Sequence, residues 1–113
     1  MNKEITVDGV EYTLGNAIIK STHLGFEDHG IMTFWLNLEY SSCTGQRAGG
    51  YSIDGSKGMD LITKILTIVG VKSWEELPGK YIRVYSTHIG VGAIFNILED
   101  RGVWFKKHFE EAE

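Results

Sequence analysis

The stretch GQRAGGYSIDGSKGMDLITKILTIV, from Gly45 to Val69, joins a glycine-dense polar segment to the strongest amphipathic pattern in the chain. With helical spacing, the apolar side chains from Met59 onward fall on one half of the circumference and the polar ones on the other. Gly70 follows, where a glycine in the left-handed region commonly ends a helix. The sequence therefore predicts a helix over Gly58–Val69 whose apolar half lies on a sheet.

The segments on both sides of this helix carry strand patterns. Ile31–Tyr40 alternates apolar and polar residues, which is typical of a half-buried strand. Asp8-Gly9 predicts the turn of a hairpin over Glu4–Thr13. Further strands are predicted over Asn16–Leu24, Tyr51–Ile53, Lys80–Ser86, Ala93–Leu98 and Val103–Phe105. Because the connections are short, the fold class is α+β: a curved, mostly antiparallel sheet of about six or seven short strands packed on one helix.

Length and composition favour one globular domain over residues 1–113. The polar tail from residue 106 to residue 113 is expected to fray. A net charge of −4 makes direct nucleic-acid binding unfavourable. The chain has a single cysteine, which fits a reducing compartment, and it has neither an apolar run of membrane length nor a signal-peptide pattern. The expected location is the cytoplasm, with no membrane association.

Three motifs resemble catalytic or metal sites and fail on spacing. Gly50 to Lys57 lacks the adjacent glycine, lysine and hydroxyl residue of a phosphate-binding loop. His23, Glu27, Asp28 and His29 match no zinc module. Cys43 has no imidazole placed near it by sequence. The sequence therefore predicts a protein that is not an enzyme, with no cofactor, no metal and no catalytic residue.

The best candidate for recognition is the glycine-dense segment, expected to be a loop over Ser41–Gly50. Gln46, Arg47 and Tyr51 offer an amide, a guanidinium and a phenol there, and Trp35 is predicted on the wetter face of its strand. Lys57, beside the first amides of the helix, could hold an anionic group. These five residues are the predicted partner- or ligand-binding set. The competing interpretation is a loop that only turns the chain.

Four segments together resemble a family of small uncharacterised proteins of bacteriophages, prophages and mobile elements. They are LGFEDHGIMTFWLNLEY (24–40), GQRAGGYSID (45–54), GMDLITKILTIVGVKSWEELPGKYIRV (58–84) and IFNILEDRGVWF (94–105). No activity or site residue comes with this resemblance. It implies a context in which small proteins bind host components, including components of antiviral defence, as anti-CRISPR proteins do.

Two hypotheses of function follow. The first is a non-enzymatic binding protein of phage type that contacts a host protein and inhibits a host defence component. Replacing Arg47 and Tyr51 by alanine is then expected to abolish capture of the partner and to leave the melting temperature nearly unchanged. The alternative is a protein that binds or sequesters a small anionic or nucleotide-like ligand. Exposed strand edges would also allow a homodimer.

Overall fold

The computed structural model describes residues 3–40 and 43–110, with only the backbone described at residues 43 and 44. This part of the chain forms an α+β fold in which seven antiparallel strands make one curled half-barrel sheet, as the sequence predicts. The strands are β1 (Lys3–Val7), β2 (Val10–Phe26), β3 (Met32–Tyr40), β4 (Cys43–Ser52), β5 (Tyr81–Thr87), β6 (Gly90–Asn96) and β7 (Gly102–Trp104). The helices are α1 (Ser56–Val69) and α2 (Phe105–Glu110), and Trp74–Glu76 forms one 3₁₀ turn.

The long strand β2 organises the sheet, whose order is β4-β3-β2-β5-β6-β7. Its first half pairs with β1 on one edge and with β5 on the other, and its second half pairs with β3. The register slips between Ile19 and Ser21, as at a β-bulge, and such bulges increase twist. The curl brings β4 towards β6, and the Gln46 side chain of β4 bridges to the carbonyl of Thr87 at the end of β5. The sheet therefore leaves a seam between β4 and β6.

Helix α1 confirms the amphipathic prediction and begins at Ser56, two positions earlier than predicted. Its buried side chains include Leu61, Ile62, Ile65 and Ile68. Gly70 has φ of 90° and its N–H donates to the carbonyl of Leu66, so the predicted stop is also confirmed. Met59, predicted on the apolar half, is exposed. Gly58 is buried where an added Cβ would lie 2.3 Å from the Cα of Ile53, so only glycine lets the helix start this close to β4.

The glycine-dense segment is an edge strand, and the predicted loop over Ser41–Gly50 is wrong from Cys43 onward. Glycines usually disfavour a strand, but here they accommodate an irregular one. Gly49 and Gly50 have φ of 119° and 85°, and the register slips opposite them. At Gly50 an added Cβ would lie 2.5 Å from the Trp35 indole, so the glycine makes room for that ring. Ser41 and Ser42 lie outside the described residues.

The C-terminal segment is a short helix, so the prediction of a frayed tail is wrong for residues 106–110. Two buried side chains hold α2 in place, Phe105 and His108. Since the Lys64 ammonium can only donate, the His108 Nδ1 accepts from its Nζ at 3.0 Å. The His108 Nε2 then carries the proton and donates to the carbonyl of Lys57 at 2.8 Å. Residues 111–113 lie outside the described part of the chain.

Within residues 3–40 and 43–110, neither helix has the length and apolar character needed to cross a bilayer.

Candidate functional site

A cleft of about 680 Å³ opens at the seam where the curled sheet fails to close. Its walls are the β1–β2 turn, strand β4, the β5–β6 turn and helix α2. Four aromatic side chains line it: Tyr12, Trp35, Tyr51 and Trp104. The volume falls inside the range of about 300–1,000 Å³ that is typical of small-molecule sites. The cleft is therefore large enough for a ligand of that class.

Arg47 lies over the Trp35 ring on the β3–β4 wall of the cleft. The guanidinium carbon is 4.0 Å from the centroid of the indole ring, which is a cation–π contact. Pairing of Trp35 with Gly49 and of Asn37 with Arg47 sets the two side chains side by side on one face. Among the described residues, no acidic side chain forms an ion pair with Arg47. Its N–H groups are therefore positioned by stacking and remain available to a ligand.

Tyr12 and Trp104 form another aromatic wall, contributed by β2 and β7. Their rings meet edge to face with centroids 5.2 Å apart. Tyr85 packs against Trp104 at 4.9 Å and fixes its position. Gly92 lets the Tyr12 ring lie against β6, since an added Cβ would be 2.9 Å from it. This wall is a preformed aromatic surface for stacking.

Tyr51 joins the cleft to the hydrophobic core. Its ring stacks on Phe109 with centroids 5.2 Å apart and also contacts Phe105 at 5.6 Å. Its carbonyl accepts a hydrogen bond from the Thr33 hydroxyl at 2.6 Å. Burial raises the pKa of the Tyr51 phenol, and charge repulsion from Tyr12 raises it further. At neutral pH the phenol is therefore protonated and can act as a donor.

Among the described residues, the cleft is lined by three cationic and two acidic side chains. Arg47, Lys106 and Lys107 face Asp8 and Glu110. Lys107 forms an exposed ion pair with Asp8 at 3.5 Å, which links α2 to the β1–β2 turn. Among the described residues, neither Arg47 nor Lys106 has an acidic partner. The described part of the cleft lining therefore has one cation more than it has acids, in a chain whose net charge is −4.

The structure brings three of the five predicted binding residues together, Trp35, Arg47 and Tyr51. Gln46 is placed elsewhere, because neighbouring residues of a strand point to opposite faces. Its side chain accepts from the Tyr40 hydroxyl at 2.7 Å and donates to the Thr87 carbonyl at 3.1 Å, so it links β4 to β3 and to the end of β5. Lys57 does not line the cleft, and its ammonium donates to the His108 carbonyl at 3.4 Å.

Sequence reasoning missed the residues that β2, β7 and α2 add, namely Tyr12, Trp104, Lys106 and Lys107. Tyr12 and Trp104 read as ordinary strand residues, and the lysines fall in the segment expected to fray. A signal was present in the adjacent Trp104-Phe105 pair followed by two lysines. This signal indicates a binding site only once the curl of the sheet is known, because the curl brings β7 and α2 to the same cleft as β4.

His23, Glu27, Asp28 and His29 lie at the end of β2 and in the turn that follows it. In the predicted turn after β2, the Glu27 carboxylate accepts from the backbone N–H of His29 at 2.5 Å. In the described part of the chain, no group of three histidine, cysteine or acidic side chains is arranged to hold a metal ion. The Cys43 side chain lies outside the described residues. Comparison with protein-family models, curated proteins and solved structures finds no match.

Proposed function

We propose that this chain is a non-enzymatic binding protein whose cleft takes a small, planar, anionic ligand. The observation that carries the proposal is Arg47, which stacks on Trp35 in the cleft and has no acidic partner among the described residues. A guanidinium held in this way keeps its N–H edges free for bidentate hydrogen bonds to phosphate or carboxylate. The aromatic wall of Tyr12 and Trp104 gives a planar ring a surface on which to stack.

Binding accounts for this residue set better than catalysis does. The described residues that line the cleft include neither histidine nor cysteine, the side chains that most often serve as base or nucleophile. What they supply is stacking surface, hydrogen-bond donors and positive charge. A sequestering protein needs these three properties and no reactive group. We also propose a cytoplasmic location, which the single cysteine of the chain favours.

Arg47→Ala should weaken binding of an anionic aromatic ligand by at least about tenfold, because a charge-assisted hydrogen bond contributes ~1.5–3 kcal/mol. The side chain is exposed, so the melting temperature should hardly change. A thermal-shift screen of nucleotides and aromatic acids identifies a ligand, and titration calorimetry of both proteins then measures its affinity. Lys80→Ala removes one positive charge at an exposed position outside the cleft and should bind like the wild type. A ligand that binds Arg47→Ala unchanged would rule out this site.

Asp8→Asn should strengthen binding of the same ligand several-fold. It removes an acid from the cleft rim and frees Lys107 from its ion pair. Asp8 has φ of 52°, a left-handed conformation that asparagine also tolerates, so the turn should be kept. Calorimetry at low and high salt checks the effect, which should shrink as salt screens the charges. An affinity equal to or below that of the wild type would contradict the assigned electrostatics.

Protein binding is the second candidate function, and an exposed apolar patch on the β2–β3 hairpin favours it. Leu24, Phe26 and Ile31 are 39 %, 71 % and 45 % exposed there. Exposed clusters of this kind commonly mark contact surfaces. Between Lys20 and Arg47 the sequence has neither lysine nor arginine, and the turn of the hairpin carries Glu27 and Asp28. A host protein with an apolar pocket edged by lysine or arginine would fit this hairpin. We propose that inhibition of a host defence component, if it is the function, acts through this contact.

Phe26→Ser should abolish binding to such a protein and leave the melting temperature nearly unchanged, because the ring is mostly exposed. Leu98→Ser is the matched control. Leu98 is 89 % exposed on the β6–β7 turn, so its loss removes a similar apolar surface elsewhere. Tagged proteins incubated with lysate of a bacterial host, followed by interferometry with the purified partner, measure the effect. Equal losses in the two variants would mean that general surface hydrophobicity, and not this hairpin, causes capture.

A further inference from the structure

We propose, resting on the proposed function of the cleft, that its ligand is a nucleoside monophosphate. The phosphate lies against Arg47 and the lysines of α2, and the base lies against Tyr12 and Trp104. The feature that points to this class of ligand is the presence of both cations and aromatic rings in one cavity. A carboxylate on a single ring would use only part of it. A nucleotide brings a flat base, a sugar and a phosphate, and uses all of it.

The phosphate end is set by Arg47 and Lys106, the cations of the cleft that lack an acidic partner among the described residues. The Arg47 guanidinium carbon lies 4.0 Å from the centroid of the Trp35 ring, so this contact restrains the guanidinium before the ligand arrives. Preorganised donors lose little freedom on binding, which favours affinity. A phosphate carries more charge than a carboxylate and offers more acceptor oxygens to this cluster. Lys107 adds a third donor when it exchanges Asp8 for the phosphate.

The base end is set by the Tyr12 and Trp104 rings, which line the cleft and are braced by Tyr85 behind Trp104. Any of the nucleobases can stack on such rings, because every base has a π-face. The phenols of Tyr12 and Tyr51 also line the cavity and can donate to ribose or base oxygens. The volume of about 680 Å³ leaves room for a sugar beside one stacked ring.

Titration calorimetry at low salt with four probes tests this inference: adenosine 5′-monophosphate, adenosine, inorganic phosphate and indole-3-acetate. The monophosphate should bind at least about tenfold more tightly than each of the other three, because it alone engages both ends. Arg47→Ala should weaken binding of the monophosphate and leave the affinity for adenosine unchanged. Tyr12→Leu should weaken binding of the monophosphate and of adenosine alike, and Tyr12→Phe, which keeps the ring and loses only the hydroxyl, should restore most of both affinities.

Quenching of tryptophan fluorescence by the monophosphate, but not by phosphate, gives an independent readout of stacking if Tyr12→Leu proves unstable. Equal affinity for indole-3-acetate and the monophosphate would overturn the nucleotide class and leave the binding function standing. Binding of the monophosphate that is insensitive to Arg47→Ala would overturn the assigned orientation. Failure of all four probes, and of a wider panel of anions, to bind would overturn both the inference and the proposed function.

Discussion

Ile65→Asp should leave the chain without a stable folded state. Ile65 is fully buried in the centre of α1, against the sheet. Losing the branched side chain costs about 2–5 kcal/mol for a truncation of this kind. The new carboxylate adds the cost of burying an ion with no partner, several kcal/mol more. The free energy of unfolding of a domain is about 5–15 kcal/mol, so the two costs together remove most or all of it.

Circular dichroism and urea unfolding measure this effect, with Thr63→Asp as the matched control. Thr63 lies on the exposed side of the same helix, so the same new charge meets water there. Its loss also removes only a hydrogen bond from its hydroxyl to the Met59 carbonyl. The free energy of unfolding of the control should lie within about 1 kcal/mol of the wild-type value. A cooperative transition for Ile65→Asp close to that of the control would refute the packing of α1 derived from its apolar pattern.

The sequence could predict α1 because its signal is local and redundant. Every residue from Leu61 to Ile68 reports the same periodicity, and Gly70 marks the end. The glycine-dense strand could not be predicted in the same way. Gly49 and Gly50 have positive φ where the backbone lies against the rings of Phe34 and Trp35, which belong to another strand. Local preference therefore indicated a loop, and pairing with β3 overrode it.

The candidate site shows the same division between local and long-range information. Residue type alone suggested Trp35, Arg47 and Tyr51, which the structure places in one cleft. Adjacent Gln46 was grouped with them because a loop has no alternation of faces, whereas a strand turns neighbouring side chains to opposite sides. The rest of the cleft depends on contacts between residues as far apart as Asp8 and Lys107. Such contacts follow from the curl of the whole sheet and leave no local pattern.

Phe105→Ala should both destabilise the fold and abolish ligand binding. Phe105 is fully buried at the start of α2 and contacts the rings of Phe34 and Tyr51. Replacing a buried phenylalanine by alanine costs about 3–5 kcal/mol. The cavity would also remove the support of α2, which brings Lys106 and Lys107 to the cleft. Because the Tyr51 ring packs on Phe105 and Phe109, Tyr51→Ala should also lower the melting temperature. An unchanged melting temperature is therefore expected only for Arg47→Ala.

The way to separate the two consequences of Phe105→Ala is a second variant that fills the cavity. Phe105→Leu keeps most of the apolar volume and should recover most of the stability lost, since such swaps usually cost less than about 1.5 kcal/mol. It should also recover binding, because α2 is again anchored and its lysines return to the cleft. Urea unfolding and calorimetry on the same preparations test this pairing. If Phe105→Leu regains stability but not binding, the ring of Phe105 acts on Tyr51 directly and not through α2. If Phe105→Ala binds as the wild type does, α2 contributes nothing to the site, and Arg47 with Trp35 must carry the binding alone.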